Sequence, residues 1–152
     1  MTHTYASSLR WSGSTAGGYE AYDRHHEVEC EPAGTTLQLS SDLTFRGDAA
    51  LLNPEQLLLA AASSCQLLSF LAVAARARLD VVGYRDEAEA VMPEDPTPQR
   101  ITTITLRPRI SVRAGPSEER VRHLVEVAHR ECFIANSLRS EVRVLPEIAW
   151  LS

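Results

Sequence analysis

The stretch Asn53 to Leu79, NPEQLLLAAASSCQLLSFLAVAARARL, constrains this chain more than any other. Its spacing predicts a helix over 53–79. Asn53 can cap the first free N–H groups, and Pro54 fits the first helical position, where its missing N–H costs nothing. Glu55 sets a negative charge near the positive end of the helix dipole. Beyond that first turn the apolar residues keep to no single stripe: Leu57, Leu58, Leu59, Leu67, Leu68, Phe70, Leu71 and Val73 point in most directions around the axis. A helix apolar on nearly all sides is a buried one. At ~1.5 Å per residue it would run roughly 40 Å, long for so small a protein. Cys65 sits near its middle, in the wall of a buried element, and is the first candidate for chemistry.

Burying such a helix requires a real core, and 152 residues suffice for one domain spanning 1–152 but are short for two. With 44% hydrophobic and 23% charged residues the chain reads as a soluble globular protein. A net charge of −5 leaves no basic footprint for nucleic acid. Residues 1–10 lack the apolar core of a signal peptide. The one membrane-like run is the long helix itself. Ser63, Ser64, Gln66 and Ser69 interrupt it and Arg76 and Arg78 end it, so no membrane insertion is expected. Three cysteines are too few for a secreted disulfide scaffold. A cytoplasmic location is therefore expected, where a cysteine pair would do transient redox chemistry.

Around the helix the pattern is one of strands. Residues 3–11 and 20–31 read as strands joined by a Gly- and Ser-rich turn, and 35–40 as a third, giving a meander. In the second, Tyr22, Arg24, His26, Val28 and Cys30 share a face by the two-residue period. Residues 81–92 and 101–112 read as two further strands about a Pro-rich turn, with Pro108 marking an edge or a local break. Ser117 caps a second helix over 117–136. Its apolar stripe runs through Val121, Leu124, Val125, Ala128, Cys132 and Ala135. Residues 141–150 form a last strand. This order argues for an α+β fold. A helix apolar all round, with one other helix to cover it, leaves apolar surface exposed. The simplest cover is a second copy of the chain, in a symmetric homodimer.

Cys65 and Cys132 lie on the two helices, and packing of those helices would bring the thiols to disulfide range if their Cα atoms come within roughly 7 Å. Taken singly, each is more often a small buried hydrophobe. Cys30 has no special surroundings. A reactive thiol needs a cation nearby. Arg24 and Arg46 are the candidates, with Glu55 able to orient either guanidinium, although spacing alone also fits solvated surface charges. His129 and Cys132 resemble half of a zinc site, but no second ligand pair exists, so no metal is expected. Ser63 and Ser64 lack a nucleophile-elbow setting, and no phosphate-binding glycine loop follows a strand.

NPEQLLLAAASSC (53–65) and AHRECFIANSL (128–138) resemble the two signature segments of the OsmC/Ohr family. YDRHH (22–26), SSDLTFRGD (40–48) and the LRP of 106–108 extend the likeness over nearly the whole chain. The resemblance implies an intertwined α+β homodimer, with two central helices per subunit flanked by antiparallel sheets. It implies a cysteine-based peroxidase that reduces organic hydroperoxides in oxidative stress defence, with no cofactor and with an external dithiol as reductant. Matched residue by residue, Cys65 is the peroxidatic thiol, Cys132 the resolving thiol and Glu55 the acidic residue. The arginine is Arg24 or Arg46, with Arg24 favoured by its inward alternation. The family usually has Pro directly after the second cysteine, and here that position is Phe133. The rival reading is a dimeric binding protein for a lipid-like ligand, its thiols sensors or packing.

Overall fold

The computed structural model describes residues 1–152. They form two compact units, residues 1–57 and 58–152.

In the first unit, three short strands make the expected antiparallel meander: β1 (Ser8–Arg10), β2 (His26–Glu29) and β3 (Thr36–Leu39). Leu9 pairs with Val28, and Val28 with Leu37. The strands are shorter than the sequence pattern predicts. Residues 19–25 fold as turn and loop around their own aromatic side chains, with Tyr22 edge-on to both Trp11 and Tyr19. The loop after β3 doubles back tightly: a Cβ on Gly47 would lie 1.7 Å from the Ser41 carbonyl oxygen, so only glycine fits. It delivers the chain to the first helix, α1 (Pro54–Arg76). A reciprocal capping box starts α1. The Gln56 N–H donates to Asn53 Oδ1 (2.9 Å), and the Asn53 N–H donates to Gln56 Oε1 (3.0 Å).

α1 stops three residues short of the expected end. The Leu79 N–H reaches back to the Ala74 carbonyl and the Arg78 N–H to that of Ala75, with Arg78 left-handed at φ 59°. This pair of bonds closes a helix with a Schellman turn, here with Arg in the place glycine usually takes.

In the second unit, each of the three expected long strands is broken. They become β4 (Val81–Asp86) and β5 (Glu89–Val91), β6 (Thr103–Leu106) and β7 (Pro108–Arg113), and β8 (Glu141–Val144) and β9 (Glu147–Leu151). The breaks align, because Asp86 pairs with Pro108 and Leu106 with Val144. Pro108 and Pro146 lack the N–H that would carry the ladder across this line. The Arg107 N–H freed there donates to Asp86 Oδ1 (2.7 Å). Two sheets result, with orders β4-β7-β9 and β5-β6-β8. They are mixed rather than antiparallel. The chain returns to them through the second helix, α2 (Glu118–Glu131), so β8 and β9 enter parallel to β6 and β7.

Phe70, Val73 and Ala74 of α1 pack with Ile110 and Val112 of β7 and with Val121, Val125 and Ala128 of α2. A smaller cluster joins Ala62 to Ile104 and Leu106. By length and composition α1 could cross a membrane. Its polar side chains instead bind neighbouring elements: Ser63 donates to Asp86 (2.5 Å), Ser69 to the Ala128 carbonyl (2.7 Å) and Gln66 to that of Val125 (3.5 Å). α1 is thus a core helix.

Candidate functional site

Ser117 caps α2 by accepting the Arg120 N–H (3.2 Å), and the stripe Val121, Val125, Ala128 turns inward as its spacing requires. The expected continuation through Ala135 does not occur. α2 ends at Glu131, and Cys132 is its C-cap in an extended conformation (φ −68°, ψ 115°). No proline follows, so another group must hold the helix end, and it is Asn136. Its side-chain amide donates to the Arg130 carbonyl (2.9 Å) and to that of Cys132 (2.8 Å). These are carbonyls left without intrahelical partners. Asn136, four residues past the thiol, was the available sequence signal, since Asn near the end of a periodic stripe marks a helix terminus.

This ending brings the chain back across α1. The Ile134 N–H points at Cys65 Sγ (3.5 Å). Cys65 thus faces the segment that follows Cys132, and its sulfur acts electrostatically on the Cys132 thiol. Both are free thiols, Cys65 half-exposed and Cys132 buried. Burial pushes the Cys132 thiol above its ordinary pKa, and the Cys65 sulfur adds to the rise. The backbone N–H groups of Ala135 and Ile134 act in the opposite direction. Cys30 is exposed, beyond the end of β2.

Cys65 opens into a groove of about 530 Å³ lined by Leu68, Ser69, Ala72, Arg76, Glu131 and Phe133. Its α1 residues fall at i, i+3, i+4, i+7 and i+11 from Cys65, one face of the helix. Phe133 stands 81% exposed beside it, and Arg76 and Glu131 form an ion pair across it (3.0 Å).

The expected charged partners lie in the first unit. Glu55 is half-buried in the first turn of α1. Arg24 is half-buried, stacked over Tyr22 (3.7 Å to the ring centroid) and Tyr19 (4.7 Å), and donates to the carbonyls of both. Arg46 pairs with Glu20 (2.7 Å). Neither guanidinium is paired with Glu55, so the expected Arg–Glu55 fork is not formed in this structure. The carbonyls of the 19–22 turn and the Glu20 carboxylate hold the two arginines instead. His129 and Cys132 gather no further ligands, and no group of three or more His, Cys, Asp or Glu side chains converges anywhere.

A family model described as OsmC-like protein matches residues 47–147, which contain Glu55, Cys65 and Cys132. The chain belongs to the OsmC-like family. Arg24 and Arg46 precede the matched stretch of this OsmC-like protein. Among solved structures it is similar to an OsmC-like protein of unknown function from Vibrio cholerae. That match has 27% identity, covers 97% of this chain and 100% of the other, and has a TM-score of 0.84. It is also similar to an organic hydroperoxide resistance protein OsmC from Legionella pneumophila (19% identity, 98% of each chain, TM-score 0.70). A third is the organic hydroperoxide resistance protein OhrB of Bacillus subtilis (18% identity, 97% and 98%, TM-score 0.64). At the identities of these last two the likeness is one of fold. No curated protein matches the chain.

Proposed function

We propose that this OsmC-like protein is a thiol-dependent peroxidase that reduces apolar organic hydroperoxides to alcohols in oxidative stress defence. The observation that carries the proposal is a half-exposed free thiol, Cys65, at an apolar groove, met by the backbone that follows the buried free thiol Cys132. The Cys65 thiolate attacks the terminal peroxide oxygen. An S–O bond forms, the O–O bond breaks, and the leaving alkoxide takes a proton to become the alcohol. Cys65 is left as a sulfenic acid. The Cys132 sulfur then attacks the Cys65 sulfur. The S–S bond forms, the S–O bond breaks, and hydroxide leaves with the Cys132 proton as water. An external dithiol returns both thiols by exchange. Leu68, Ala72 and Phe133 along the groove favour a substrate with an apolar body over hydrogen peroxide.

Thiol counting on the purified protein tests this. Cumene hydroperoxide should remove two of the three free thiols rapidly and stoichiometrically. Unchanged thiols in a folded protein would sink the proposal and leave an apolar-ligand binding protein.

Family resemblance assigns the thiolate's cation to Arg24 or Arg46, with Glu55. Arg24 is bound only by neutral carbonyls and aromatic faces, whereas Glu20 already neutralises Arg46. Arg24→Ala should therefore slow the loss of the first thiol by about tenfold or more, the scale of one lost charge-assisted hydrogen bond. Arg46→Ala should slow it less. Stopped-flow oxidation of both variants decides the order, and equal rates would remove the preference for Arg24.

We also infer a homodimer. Ser64, Leu68, Leu71 and Ala75 form a second stripe along α1, and all four are exposed in the single chain. A stripe of small and apolar residues beside an exposed Phe133 fits a second copy of the same helix.

A further inference from the structure

The Ile134 N–H that points at Cys65 Sγ (3.5 Å) belongs to the Phe133–Ile134 peptide. The carbonyl at the other end of that peptide is held as well: the Ser137 hydroxyl donates to the Phe133 oxygen (2.7 Å). A trans peptide is planar, and its C=O and N–H point in opposite directions. Holding the Phe133 oxygen therefore sets the direction of the Ile134 N–H. Ser137 hydroxyl, Phe133 carbonyl, Ile134 N–H and Cys65 sulfur thus follow one another as a relay of two hydrogen bonds through one amide. The turn around this peptide is tied down too. The Ser137 N–H donates to the Ile134 carbonyl (2.9 Å) and the Asn136 N–H to that of Cys132 (3.0 Å), closing a 3-10 turn over Ala135–Ser137.

A hydrogen bond accepted by a carbonyl polarises its amide and makes the N–H a stronger donor. A neutral thiol accepts weakly, whereas a thiolate accepts strongly, so an N–H already aimed at a sulfur favours its ionised form. We propose that the Ser137 hydroxyl, by holding the Phe133–Ile134 peptide, aims the Ile134 N–H at the Cys65 sulfur, making Ser137 a positioning residue for the attacking thiolate. This rests on the peroxidase reading for the step it assists and leaves the balance of that step unchanged. The amide keeps its proton throughout, and Cys65 alone gives up one before it attacks. Several other charged or titratable groups surround this stretch of α1. Arg76 and Glu131 pair with each other across the groove, Cys132 precedes the turn, and Asp86 of β4 holds the Ser63 hydroxyl. None of them is touched by a change at Ser137, nor is the Arg24 or Arg46 that family likeness assigns to the thiolate.

Ser137→Ala removes only the hydroxyl, and Ser137→Thr keeps it. Ser137 is exposed, so both variants should fold. Two measurements on full-length protein test the proposal. First, in a Cys30→Ser, Cys132→Ser background the sole thiol is Cys65, and its rate of alkylation by iodoacetamide against pH reports its thiolate. Adding Ser137→Ala should slow alkylation about fivefold on the rising limb of that profile, the scale of one net hydrogen bond. The plateau at high pH, where every Cys65 is ionised, should not fall, and Ser137→Thr should restore the original profile. Second, with all cysteines present, Ser137→Ala should slow the loss of the first thiol to cumene hydroperoxide by a similar factor at a pH on the same limb. An unmoved profile overturns the proposal. A plateau that falls with the limb also overturns it, since that marks altered access to Cys65 rather than a lost donor. A Thr variant that behaves like Ala overturns it too, because the exposed site has room for the extra methyl. Should wild-type protein lose no thiols to the hydroperoxide, the peroxidase reading fails, and the alkylation profile still decides whether Ser137 serves Cys65.

Discussion

Cys65→Ser is expected to abolish hydroperoxide reduction. A serine hydroxyl is essentially un-ionised at neutral pH, and the Ile134 N–H that meets position 65 is a donor that cannot take its proton. The loss should be at least on the order of 10³-fold in turnover, as for other covalent nucleophiles. All three thiol positions then become informative. Cys65→Ser should keep both remaining thiols after exposure to cumene hydroperoxide. Cys132→Ser should lose one, because Cys65 still attacks the peroxide, and its sulfenic acid should be trappable by dimedone. Cys30→Ser should behave as wild type, since Cys30 lies exposed outside the site. Residual peroxide is read by a ferric dye assay and free thiols by disulfide exchange with a chromogenic reagent. Loss of two thiols at the wild-type rate in Cys65→Ser would move the chemistry to another pair. Cys65 is half-exposed, so the variant should fold, and circular dichroism checks this.

The sequence carried what depends on short-range rules. The Asn53 cap, Pro54 in the first turn and the Ser117 cap were readable because each acts within three residues along the chain. The meander followed from alternation and its turn residues, the second helix from its periodic stripe, and the first from its cap and its long apolar run. What the pattern could not resolve were positions decided by contacts far away in sequence. The 81–92 and 101–112 strands alternate correctly across their breaks. The line at Pro108 and Pro146 exists only because three strands meet there in register. The end of α1 was hidden because Arg78 takes a left-handed conformation usually left to glycine. Cys132 lies past the end of the helix whose stripe its spacing extends, because Asn136 binds the carbonyls of Arg130 and Cys132 there. The partners of Arg24 and Arg46 were the least legible of all. A guanidinium's choice between a carboxylate, a carbonyl and an aromatic face is settled by loop geometry, and spacing says nothing about it.

The exposed stripe on α1 supports the second large effect. Leu68 is 63% exposed in the single chain and lies one helical turn from Cys65, so it is both the centre of the inferred interface and a wall of the groove. In a symmetric dimer each substitution occurs twice at one contact. Leu68→Glu would then place two carboxylates in an apolar interface, at a cost of several kcal/mol unless each finds a cation. Every ~1.4 kcal/mol weakens association about tenfold, so the dimer should weaken by several orders of magnitude. Sedimentation should give a two-chain mass for wild type at micromolar concentration and a one-chain mass for Leu68→Glu. A one-chain mass for wild type would refute the dimer. The variant also separates substrate binding from thiol chemistry. If the partner helix completes the apolar groove, Leu68→Glu should lose reactivity toward cumene hydroperoxide together with the dimer. Its Cys65 should still react with iodoacetamide, a small reagent that needs no groove. Loss of the dimer with undiminished cumene hydroperoxide reduction would instead mean that one chain supplies the whole of the binding surface.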